Sequence, residues 1–177
     1  MASTYKTVLR TVRIPKDLDE LLQKDAKAKR TSVNSLIAAI MTKYSEWDRF
    51  ADKFGYVSIP KNFLRDLLDS SNEEALLGLA ERFGAEHPND VIHFWFKKVS
   101  LETLLSYMRI HADYCNLGPV EIENDARNYT ISIQHEFGRK WSMFLERFFD
   151  KMWRTQLKVT PHFETTDNNV TLRFQLP

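Results

Sequence analysis

Thr11-Val12-Arg13-Ile14-Pro15, then an acidic amphipathic run, then Thr31-Ser32-Val33-Asn34-Ser35-Leu36-Ile37: the fold of this chain turns on how these residues are read. The first five alternate. Val8, Val12 and Ile14 share one side of an extended backbone, and Leu9, Thr11 and Arg13 share the other. Proline has no ladder donor, so Pro15 closes the strand. No second strand lies nearby in sequence. A lone strand leaves backbone donors and acceptors unpaired, and pairing with a second copy about a two-fold axis resolves this most simply.

Two helices are predicted next. The first runs from about Lys16 to Lys29, with Leu18, Leu21, Leu22 and Ala26 as its apolar stripe and Asp17, Asp19 and Glu20 at its electropositive start. Arg30-Thr31 makes the turn, and Ser32 is the expected N-cap of the second helix, with Thr31 as the alternative. Leu36, Ile37, Ile40, Met41, Tyr44, Trp47, Ala51 and Phe54 extend one face of that helix to about Lys53, and Gly55 stops it.

This order resembles the ribbon-helix-helix DNA-binding family, to which the Arc and methionine repressors belong. The likeness covers about the first quarter of the chain. It implies an intermolecular two-stranded ribbon in the major groove of double-stranded DNA, with outward strand residues Leu9, Thr11 and Arg13 reading bases. Ser32, Val33 and Asn34, at the start of helix two, would hold a phosphate, helped by Lys6, Arg10, Lys27 and Arg30. Arg10 departs from the family pattern at an inward position and Leu9 at an outward one. Arg30 stands where the inter-helix turn usually has glycine.

Charge follows the same division. Residues 1–45 hold 9 Lys or Arg against 4 Asp or Glu, or +5, whereas residues 46–177 hold 16 against 20, or −4. A basic head on a mildly acidic body suits a polyanion partner. The apolar fraction of 43% predicts a packed core. The single cysteine, Cys115, excludes an intrachain disulfide, and no apolar run approaches a membrane span. The expectation is a cytoplasmic protein with no membrane partner and no cofactor.

The expected fold class is α+β, with a ribbon-helix-helix module over 1–54 and a body over 55–177. In the body, Tyr56–Pro60 reads as a short strand or extended linker. Helices are predicted over 62–69 and 73–83, the second capped by Ser71 or Asn72. Residues 84–90, with Pro88, read as a loop, and 91–98 as strand or helix. Ser100 caps a further helix, ended by Asn116-Leu117-Gly118-Pro119. A hairpin follows over 120–123 and 129–135, turning at Asn124-Asp125. Next come a helix carrying Trp141, Phe144, Leu145, Phe148, Phe149 and Met152, and a second hairpin over 158–165 and 170–176, turning at Asp167-Asn168-Asn169. Hairpin–helix–hairpin is an antiparallel sheet with helices on one face.

Two further constellations bear chemistry. His111 and Cys115 lie four apart on one helical face, a spacing that suits a metal, and the nickel-responsive members of the resembled family use a metal-binding body. His135, Arg139 and Lys140 surround a strand-to-helix junction at Gly138 and could form an anion or effector pocket. The ordinary alternatives are a surface histidine beside a buried thiol, and a tight glycine turn. No phosphate loop, nucleophile elbow or zinc-protease helix occurs, so no enzyme is expected. The expected function is a sequence-specific DNA-binding transcription regulator acting as a homodimer or higher oligomer. The alternatives are a protein-interaction module, such as an antitoxin-like or scaffold subunit, and a regulator answering a metal or effector through its body.

Overall fold

The structure, a computed structural model, describes residues 7–176. They divide into two compact units, one ending at Ser45 and one beginning at Glu46, so the sequence-based boundary at 54/55 lies within the second.

In the first unit, residues 7–15 form no strand. The extended segment reaches Pro15, whose φ of −57° and ψ of 149° lead directly into helix α1, Lys16–Ala28. The first strand among the described residues begins at Val120. The expected N-terminal ribbon is therefore corrected: this unit begins with helices. Alternation sets where side chains point, but a strand also needs a neighbouring ladder, and no described segment pairs with these residues.

Helix α2 spans Val33–Lys43, and Ser32 caps it as expected, its Oγ accepting from the Ser35 amide at 3.0 Å. Arg30, in the turn between the helices, has φ 51°, the left-handed conformation that glycine adopts without steric penalty. Only Ala26 and Leu36 are buried in these two helices, and Leu18 and Leu21 of the anticipated stripe are exposed. After α2 the backbone stays helical through a π-helical turn, Tyr44–Asp48, the short α3, Arg49–Ala51, and a 3-10 turn, Asp52–Phe54. Gly55, at φ 69°, stops it, close to where the apolar spacing predicts.

In the second unit, α4 spans Lys61–Ser70 and α5 Glu73–Phe96, with the Asn72 side chain accepting from the Ala75 amide. Helix α5 passes straight through the predicted loop at 84–90. Proline in a helix interior forfeits one hydrogen bond and costs about 3 kcal/mol, but Leu76, Ala80, Gly84, Pro88 and Ile92 recur every fourth residue as one buried stripe. That stripe packs against helix α7, Arg139–Leu157, and burial outweighs the break. Gly84 permits the closest approach: a Cβ there would lie 2.5 Å from the Phe148 carbonyl oxygen.

Helix α6, Leu101–Cys115, opens with a capping box between Ser100 and Thr103. Asn116, at φ 52°, ends it. Strands β1, Val120–Asp125, β2, Asn128–Gln134, β3, His162–Thr165, and β4, Asn169–Gln175, form one antiparallel sheet in the order β1-β2-β4-β3. Ile131 pairs with Leu172 and Ile133 with Val170, which aligns their apolar side chains on the face that carries α7. The predicted hairpins, the intervening helix and the α+β class of the body are all present. No described helix is long and apolar enough to cross a membrane.

The first hairpin turns at Ala126-Arg127, one pair beyond the expected Asn124-Asp125, and Ala126 takes φ 52°. A positive φ at the first central residue of a two-residue turn favours glycine. Ala126→Gly should therefore raise stability by about 1 kcal/mol, set by the 1–2 kcal/mol penalty of left-handed backbone less the entropy of glycine. Urea unfolding reads the change; a loss of stability would refute this account of the turn.

Candidate functional site

The predicted DNA-facing residues lie at the solvent surface of the first unit. Leu9 is 90% exposed, and Thr11 and Arg13 are exposed beside it. The helical ladder of α2 begins with the Leu36 amide donating to the Ser32 carbonyl oxygen. Ser35 donates to the cap, so the amides of Val33 and Asn34 stand ahead of the ladder, where a helix start favours an anion. Arg10, Lys27 and Arg30 are exposed as well, and Lys6 lies outside the described residues.

The second unit contains a constellation that sequence reasoning missed. Tyr56, just past the Gly55 stop, places its hydroxyl 2.7 Å from Nε2 of His87 on α5 and 2.6 Å from Nε2 of His111 on α6. His111 Nδ1 lies 2.8 Å from the Tyr107 carbonyl oxygen. A carbonyl only accepts, so Nδ1 carries the imidazole hydrogen and Nε2 is left as an acceptor. The Tyr56 hydroxyl therefore donates to His111, and its oxygen accepts from the Nε2–H of His87. Aromatic rings enclose the three. Trp47 lies 4.8 Å from Tyr56 and 5.3 Å from His111, Phe83 stacks on His87 at 4.3 Å, and Tyr107 lies 4.1 Å from His111.

The enclosure explains the titration of these groups. Burial is the main cause in each case: it holds His111 down to about 4, lowers His87, and raises the Tyr56 and Tyr107 phenols. At neutral pH the cluster is uncharged. Nothing local in the sequence marks it, because its members come from a predicted linker, a predicted loop and a helix, and only the packing of α5 beside α6 joins them.

His111 and Cys115 do share one helical face, but both His111 nitrogens are hydrogen-bonded, and burial pushes the half-buried Cys115 thiol up to about 11. A metal ligand must be the thiolate, which is scarce at neutral pH under that shift. Among the described residues no three His, Cys, Asp or Glu side chains converge as ligands.

The His135 junction is tightly knit. The Phe137 amide donates to His135 Nδ1, Nε2–H donates to Ser142 Oγ at 2.8 Å, and that hydroxyl donates to the Asp167 carbonyl oxygen. Arg139 donates to the Thr165 carbonyl oxygen, and Lys140 to those of Asp69 and Ser71, at the end of α4. Arg139 and Lys140 therefore serve separate backbone carbonyls, tying α7 to the second hairpin and to α4, while His135 is held by the Phe137 amide and the Ser142 hydroxyl. Compared with known proteins, the chain matches no family model and no curated protein sequence.

Proposed function

We propose that the protein is a sequence-specific DNA-binding regulator that acts as a homodimer through its first unit, residues 7–45 of the described chain. The observation that carries this reading is the apolar surface of that unit. Val8 is 70% exposed, Leu21 53% and Met41 55%, with Val12, Leu18 and Ile40 exposed as well, while Ala26 and Leu36 are the buried apolar residues. One buried alanine and one buried leucine do not offset the conformational entropy of ordering such a segment, whereas a second copy covers the exposed set. Exposed Thr11 and Arg13, the free amides at the start of α2 and the local excess of basic charge supply base-edge and phosphate contacts.

Selection of bound sequences from random duplex DNA tests the reading, run at stated salt beside Arg13→Ala. The full-length protein should sediment as two copies. Arg13→Ala should lower the preference for the selected site over random DNA by about 1–3 kcal/mol, the value of one bidentate arginine contact, and leave the dimer intact. An unchanged preference, or failure of the wild-type protein to enrich any sequence, overturns it.

A further inference from the structure

We infer that Tyr56, His87 and His111 form an acid-opened latch that holds the segment 46–56 on helices α5 and α6. The inference rests on counting hydrogens. The tyrosine hydroxyl has one hydrogen to give, and it stands between two imidazole nitrogens at 2.6 and 2.7 Å. The Tyr107 carbonyl fixes the His111 tautomer, which in turn fixes the hydroxyl and then His87. One chain of donors therefore satisfies the cluster: His87 to Tyr56, Tyr56 to His111, His111 to Tyr107. A proton added at His111 Nε2 turns the final acceptor into a donor, so the hydroxyl has to reverse and His87 has to move its hydrogen to Nδ1, while a charge is placed among buried rings.

The neighbours do little to shelter that charge. On α6 the titratable groups beside His111 are Tyr107 and Cys115, both neutral. On α5 they are His87 and Asp90, and Asp90 acts on His87. In the 46–56 segment, Glu46 is engaged by the Tyr114 hydroxyl at 2.6 Å, and Arg49 and Lys53 lie over the rings of Phe50 and Phe94, where Lys97 also sits. Asp48 and Asp52 are the other charged groups of the segment, and Trp47 is stacked on Trp95 at 5.7 Å. The folded pKa of His111, about 4, lies below the ordinary value of 6.5, so the latch is fully closed above about 6.5 and weakens as pH falls toward 4. The segment it holds begins the second unit, with Tyr44 and Ser45 between it and the end of α2 in the chain.

The test is a pH titration of the full-length chain from 7.5 to 4, following tryptophan emission with far-ultraviolet circular dichroism in parallel. Trp47 and Trp95 report the latch. The expected result is a reversible change in emission below about pH 6 while the helical signal persists. His111→Gln keeps an acceptor without titrating and should shrink the change; Tyr56→Phe should give acid-like emission already at pH 7.5. A change of equal midpoint and size in His111→Gln, or one that coincides with loss of helix in the wild-type protein, overturns the latch. Nitrogen NMR of the wild-type protein at pH 7.5 decides independently of any variant: hydrogen on Nδ1 of His111 and on Nε2 of His87 supports it, and the reverse assignment overturns it.

Discussion

Gly118→Ala is expected to lower the stability of the second unit by about 4 kcal/mol, combining about 1–3 for backbone in a region closed to L side chains with about 1–3 for overpacking. Gly118 has φ 116°, and a Cβ on it would lie 1.9 Å from the Gln134 carbonyl oxygen and 2.9 Å from its carbon. Neither obstacle is a flexible side-chain end. Gln134 closes β2, and its amide donates to the Pro119 carbonyl oxygen, so relief would require moving the strand or the turn after α6. At this chain length the loss corresponds to a fall in melting temperature of about 10 °C. The measurement is thermal unfolding followed by near-ultraviolet circular dichroism. A melting temperature within about 2 °C of the wild-type value would show that the turn is not held against β2.

Trp153→Ala is expected to be comparably damaging, at about 3–5 kcal/mol. Trp153 is fully buried on α7 and lies 4.6 Å from Phe174 of β4, so its ring fills the space between helix and sheet. Its indole N–H has no hydrogen-bond partner among the described residues. Trp153→Phe therefore forfeits volume but no hydrogen bond, and should cost markedly less than the alanine variant. Chemical denaturation of both variants separates the two contributions. Equal losses would show that the cavity does not dominate.

These two sites show where the sequence was legible. The stripe carrying Phe144, Leu145, Phe148, Phe149 and Met152 identifies α7 from spacing alone, and the caps at Ser32, Asn72 and Ser100 mark three helix starts because capping is local chemistry. Clean alternation over 170–176 marks β4 for the same reason. The failures share one cause: each depended on a neighbour the sequence does not name. Alternation at 7–15 predicts side-chain directions but finds no ladder. Gly84 and Pro88 read locally as breakers, and only the packing of α5 against α7 makes them part of a helix.

The candidate sites divide in the same way. Leu9, Thr11 and Arg13 come from one extended segment and Ser32, Val33 and Asn34 from one helix start, and all but the half-buried Val33 are exposed. Arg139 and Lys140 invited an anion, but nearby backbone carbonyls occupy them. The Tyr56–His87 and Tyr56–His111 hydrogen bonds span 31 and 55 residues, distances across which no periodicity carries information.

The order β1-β2-β4-β3 also dictates a kinetic sequence. Each hairpin closes over a short loop and can form early, but the central seam joins 128–134 to 169–175 and has to await the folding back of α7. Until then each hairpin presents a bare inner edge, so the interval before the seam closes is when a nascent chain is most exposed to mispairing with its neighbours.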